Sequence, residues 1–171
     1  MLSEKTNKFK APKSCCIPYG VLDSIYSTTM SLITDKMKQT GSIVKLHELI
    51  MEELKQQLEI SEKTIREYIT GIEQQFVHSK LLVIKSCSNE RNLTETPLSY
   101  SILNVNAKNN DSIYKGVIDV WKHLYSQNVL EARIQYSTTW KPLMSVLIQE
   151  MIPAEYSFIA YTEGYVKIKY K

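Results

Sequence analysis

Long apolar runs are missing from this chain: no stretch approaches the roughly eighteen residues that a membrane-crossing helix requires, so no helical membrane anchor is expected. The first residues carry lysines and no apolar signal-peptide core, which points to an intracellular protein, nuclear if the cell is eukaryotic and otherwise cytoplasmic. Glycine is scarce, at five residues in 171, and none of the five builds a phosphate-cradling loop or a Gly-x-Ser-x-Gly nucleophile turn. Cysteine is limited to Cys15, Cys16 and Cys87, without a Cys-x-x-Cys pair, so all three read as reduced thiols and no zinc site is expected. His47, His78 and His123 stand alone in sequence, and Glu52–Glu53 reads as a solvated helix face. Nothing here needs to be catalytic, and neither an enzyme nor a cofactor is expected. Arginine is also rare: three (Arg66, Arg91, Arg133) against eighteen lysines, which leaves few of the planar forks that read guanine edges in DNA.

The positive charge is unevenly placed. Lys5, Lys8, Lys10 and Lys13 face only Glu4 in the first twenty residues, so the overall charge of +3 resides in that tail and the remainder is near neutral. Residues 1–19, with Pro12 and Pro18, read as a flexible basic arm.

What is present is strong periodicity. Leu46, Leu49, Ile50, Leu54 and Leu58 recur at helical spacing, and so do Ile65, Tyr68, Ile69, Ile72 and Phe76. Between these stripes lies a tight turn in which Ile60 is the one apolar residue, expected to be buried, and Ser61 is expected to cap the second helix. A β-rich run, Lys80 to Lys85, a polar loop from Cys87 to Thr96 and a second run from Leu98 to Val105 follow as a hairpin. Upstream, Val21 to Lys38 reads as a helix with Leu22, Ile25, Tyr26, Thr29, Leu32 and Ile33 on one side, and Ser42 to Lys45 as a short strand. The segment Ile60-Ser61-Glu62-Lys63-Thr64-Ile65-Arg66-Glu67-Tyr68-Ile69 resembles the turn and second helix of winged helix-turn-helix proteins. The fold class expected is therefore α+β, with a winged-helix domain over residues 20–108.

Asn109-Asn110-Asp111 starts a second unit, residues 109–171. Ile113, Val117, Val120, Trp121 and Leu124 mark a helix. Val129 to Tyr136 fits a half-buried strand by alternation and a helix by propensity. Thr139 and Pro142 open a helix buried through Leu143, Val146, Leu147 and Met151, and Tyr156–Tyr161 with Tyr165–Tyr170 form a terminal hairpin. The order of elements repeats that of the first half, so two winged-helix units in tandem are expected, the competing reading being one winged helix followed by an α+β dimerisation or effector domain. Such a tandem resembles, in architecture only, the C-terminal half of the replication-protein-A-like middle subunit of the CST telomere complex. That resemblance implies a docking module for replication or telomerase partners and transfers no site residues.

Two functions follow. In the first, the chain docks protein partners within an assembly acting on DNA in replication, telomere maintenance or transcription, using helix faces and Tyr156, Tyr161, Tyr165, Lys167 and Lys169 of the last hairpin. In the second, a sequence-specific transcriptional regulator, homodimeric through its C-terminal unit, places Lys63, Thr64, Arg66, Thr70 and Gln74 in the major groove of duplex DNA. Lys85, Arg91 and Lys108 would then touch the DNA backbone. The mixed sign of the second-helix face, where Glu62, Glu67 and Glu73 oppose Lys63 and Arg66, favours the first, because phosphate attraction grows with the number of cations that displace counterions.

Overall fold

The computed structural model describes residues 11–25, 41–88, 99–136, 143–154, 156–160 and 166–170, the last two as backbone. In order these form β1 (Ser14–Ile17), a helical segment at 19–25, α1 (Ile43–Ile60), α2 (Glu62–Glu73) and a 3-10 turn (Gln74–Phe76). Then follow β2 (Leu81–Ser88), β3 (Ser101–Asn106), α3 (Asn110–His123), α4 (Gln127–Gln135), β4 (Met144–Glu150), β5 (Tyr156–Ala160) and β6 (Val166–Tyr170). The fold is α+β, and among the described residues no helix is long and apolar enough to cross a membrane.

One antiparallel sheet runs β1-β4-β2-β3 and a separate ribbon pairs β5 with β6. The expected folding back of residues 81–105 is present: Leu82 faces Val105 and Ile84 faces Ile102. The register shifts between those pairs, and Asn104 takes φ 59 there. Some bulges place a residue in the left-handed region, and asparagine tolerates it better than most side chains.

β4 corrects the expectation of a helix opened by Thr139. Its apolar residues satisfy two periods at once, since Leu143, Val146, Leu147 and Met151 fit a helix while Met144, Val146 and Ile148 alternate as a strand does. The alternating set is the one that is buried. What decides is the empty place beside β2. Seven cross-strand pairs with β2, from Leu82↔Glu150 to Ser88↔Met144, and four with β1 satisfy both edges of β4. Thr139 and Pro142 themselves lie outside the described residues.

The strand expected at Ser42–Lys45 is likewise absent, because α1 begins at Ile43. Four residues with only Ile43 and Val44 β-branched compete there with a stripe of buried leucines that extends helically from Leu46. The third strand beside the β2–β3 hairpin comes instead from residues 144–150. Residues 14–17, expected within the arm, form the edge strand β1, closed by Ile17 in the core and by a Glu150 amide donating to the Lys13 carbonyl at 2.8 Å. The ambiguous segment 129–136 resolves as α4, with Val129, Leu130, Ala132 and Arg133 buried at helical spacing. Tyr26, Thr29, Leu32 and Ile33 of the expected first helix lie outside the described residues, while Val21 and Leu22 are buried.

A single cluster of apolar side chains joins these elements: Leu46, Ile50, Leu54 and Leu58 of α1, Ile65, Ile69, Ile72 and Phe76 around α2, and Ile113, Val117, Val120 and Trp121 of α3. All meet Ile17, Leu82, Ile84, Val146 and Ile148 of the sheet. α3 lies closest to the strands. A Cβ on Gly116 would come within 2.5 Å of Ile84 Cδ1, so any larger residue here requires the Ile84 side chain to move if the helix is to keep its present distance from β2. Within the Asn109-Asn110-Asp111 segment it is Asn109 that caps α3, its Oδ1 accepting from the Ser112 amide at 3.0 Å. At the other end of α3, the buried guanidinium of Arg133 donates through Nη1 to the Leu124 carbonyl at 2.8 Å, where a cation also meets the negative end of the helix dipole. The neighbouring Tyr125 carbonyl lies 2.9 Å from His47 Nδ1, which must carry the proton for the contact to hold, and this ties α1 to the α3–α4 turn.

Candidate functional site

α2 is twelve residues long and has two unlike sides. Ile65, Ile69 and Ile72 face the core; Lys63, Thr64, Glu67, Thr70 and, in the following turn, Gln74 are exposed. The expected division of the helix therefore holds, with one exception: Tyr68, read as part of the buried stripe, is half exposed.

The turn that leads into α2 differs from expectation in two ways. Ile60 is 77% exposed rather than buried, because α1 continues through it and its side chain leaves the helix on the solvent side. Ser61 makes no side-chain cap; its φ of -94° and ψ of 2° lie off the extended conformation from which a serine hydroxyl reaches the third residue of a helix. Backbone continuity replaces the cap, with the Ser61 amide donating to the Gln57 carbonyl and the Ile65 amide to the Ser61 carbonyl, each at 3.0 Å.

Arg66 occupies the centre of the face, yet its guanidinium is already engaged. Nε donates to Glu62 Oε1 at 2.6 Å, one turn earlier, and Nη1 donates to Asp111 Oδ1 at 2.7 Å, at the start of α3. Its flat side lies 4.3 Å from the centre of the Tyr114 ring. The hydrogen bonds it donates to Glu62 and Asp111 push the guanidinium still further toward its charged form. Tyr114 is shifted upward as well, by partial burial first and by the Glu62 carboxylate next. A fork that already donates to two acids and stacks on an aromatic ring is held against the protein surface, with only its remaining N–H groups left to meet a base edge. Asp111 and Tyr114 were not legible as members of this site. Forty-five residues separate Asp111 from Arg66, and an acid in the first turn of a helix already has a sufficient reason to be there.

Two grooves border the face. Glu59, Ile60, Glu62, Lys63, Arg66, Glu67 and Thr70 line a shallow one at the α1–α2 turn. The other, of about 280 Å³, lies at the far end of the helix, where Gln74, Phe76 and Val77 meet Ala107 and Lys108. Gln74 and Lys108, assigned separately to base and backbone contacts, are thus brought together. Lys85 is not: it alternates with the buried Leu82, Ile84 and Ser86 onto the sheet face turned away from α3, where Nζ donates to Gln149 Oε1 at 3.0 Å. Arg91 lies outside the described residues.

Of the hairpin residues, Tyr156 is on β5 opposite Tyr170, and Lys167 and Lys169 are on β6 opposite Ile159 and Ser157, so the two lysines share a face by register. Tyr161 and Tyr165 lie outside the described residues.

Cys15 sits on β1 beside Ile148, and burial, with Cys16 next to it, pushes its thiol up to about 11. Cys16 is raised for the same leading reason, and its Sγ donates weakly to the Ile17 carbonyl at 3.5 Å. Among the described residues no group of three or more His, Cys, Asp or Glu is placed to hold a metal ion. No family model matches the chain.

Proposed function

We propose that this chain is a winged-helix-type module without catalytic activity that docks another protein chain within an assembly acting on DNA. In this reading β2 and β3 are the wing, α2 is the outward-facing second helix of the motif, and the sheet is completed by β4. The order α1, α2, β2, β3 supports the motif. The departure from a simple tandem is that β4, from the second half, joins the sheet of the first. The observation that carries the docking role is the engagement of Arg66 by Glu62, Asp111 and Tyr114 beside an Ile60 left in solvent. An arginine tied to two acids has fewer N–H groups to offer a base edge, and an exposed apolar residue ringed by polar groups is the usual centre of a protein interface.

Titration of labelled duplex DNA at about 50 and 200 mM salt tests this. The expected result is no binding tighter than about ten micromolar and only a shallow salt dependence, as for non-specific contact. Ile60→Glu should at the same time remove the chain from its native assembly without unfolding it. Nanomolar, steeply salt-dependent binding that is lost in Arg66→Ala would instead establish the transcriptional-regulator reading, in which Lys63, Thr64, Thr70 and Gln74 enter the groove.

A further inference from the structure

We infer that the chain occupying the outward face of α2 is a second copy of this protein, bound antiparallel across a two-fold axis that passes between Lys63 and Glu67. This inference rests on the docking role proposed above and names the partner.

Charge complementarity carries it. Around the α1–α2 turn the acids and bases are otherwise satisfied within the chain: Lys55 with Glu59, and Glu62 and Asp111 with Arg66. Among the described residues, Lys63 and Glu67 alone on the groove make no ion pair, although both are exposed and one helical turn apart. Their order, base before acid, is the weaker one for pairing within a helix. Opposite charges one turn apart, separated by about 6 Å along the axis, are self-complementary only when two such helices run antiparallel. Lys63 of each copy then faces Glu67 of the other, and the two-fold axis makes two equivalent ion pairs. A parallel arrangement would set lysine against lysine and is excluded by the same pattern.

The surrounding shape agrees. Ile60, exposed at the turn that leads into the helix, and Thr70 line the same groove as Lys63 and Glu67, so an apolar and a methyl-bearing side chain accompany the charged pair on this face. Gly71, one turn beyond Glu67, has nothing within 4 Å of where its Cβ would be, so a second helix can approach closely there. A face limited to one twelve-residue helix is smaller than the roughly 1,600 Å² of a stable complex, so the dimer is weak and dissociates on dilution.

Sedimentation velocity on the full chain from about 10 µM to 1 mM tests the inference, this being the range in which small interfaces associate. The wild type should move from monomer mass toward twice that value. Lys63→Glu and Glu67→Lys should each raise the concentration of half-association roughly tenfold, as paired charges become repelling ones. The double variant K63E/E67K, which rebuilds the pattern in reverse, should return to wild-type behaviour. A folding defect would not be repaired by a second reversal, so recovery separates the interface from mere destabilisation. A wild type that stays monomeric throughout, single variants without effect, or a double variant no better than the singles would each overturn the inference. A monomer whose Ile60→Glu variant still drops out of the native assembly would sink self-association while leaving the docking role intact.

Discussion

α2 and α3 are of similar length and contact each other through Arg66, Asp111 and Tyr114, yet the chain uses them in opposite ways. α3 is wedged between the sheet and the other helices, burying Ile113, Gly116, Val117, Ile118, Val120 and Trp121 on more than one side. α2 buries one narrow stripe and leaves the rest to solvent. Each contains one glycine, and the two glycines show the difference most directly. Gly116 has the Ile84 side chain where its Cβ would be; Gly71 has open space. A helix enclosed on several sides is a structural element, because any change to its surface must be absorbed by close-packed neighbours. A helix enclosed on one side has a surface that selection can shape for a partner.

The contrast can be broken by substitution. Trp121→Ala should have the largest effect, destabilising the protein by about 3–5 kcal/mol in denaturant unfolding, since it removes a large, fully enclosed side chain. Gly116→Leu should cost about 1–3 kcal/mol, and more if Ile84 cannot turn aside, because the added atoms enter a contact that is already filled. Near-native stability in that variant would show that α3 is free to lift from β2. Gly71→Ala should act in the opposite direction and raise stability by about 0.5–1 kcal/mol, the usual gain when alanine replaces glycine in an exposed helix. A loss at Gly71 would mean that the space beside α2 is used within the monomer, and would blur the distinction between the two helices.

The periodic segments were legible from residue order. Leu46 to Leu58 and Ile65 to Phe76 repeat apolar residues at helical intervals over several turns, and no alternative period fits them. The strand character of residues 156–160 and 166–170 was legible from alternation, and the start of α3 from the Asn109-Asn110-Asp111 segment. Legibility failed where a short segment supports two periods or where the deciding partner is distant. Residues 144–150 satisfy both helix and strand spacing, and β2, some sixty residues earlier, settles the matter by offering an unpaired edge. Ile60 was misplaced because a lone apolar residue in a turn carries no periodicity, so nothing local indicates which way it points. Of the candidate site, the exposed residues of α2 were read correctly as a face. The state of Arg66 was not, because its second acid and its aromatic platform come from α3.

Residue order by itself determined the helical stripes at 46–58 and 65–76, the β-rich runs that became β2 and β3 and the mixed charge of α2, since these depend on spacing within one or two turns or on side-chain chemistry alone. Tertiary structure decided the sheet order, the conversion of residues 144–150 to a strand, the close seat of α3 at Gly116 and the capture of Arg66. Each of those depends on groups far apart in the chain whose backbone bonds, volumes or charges are satisfied only once the elements have met.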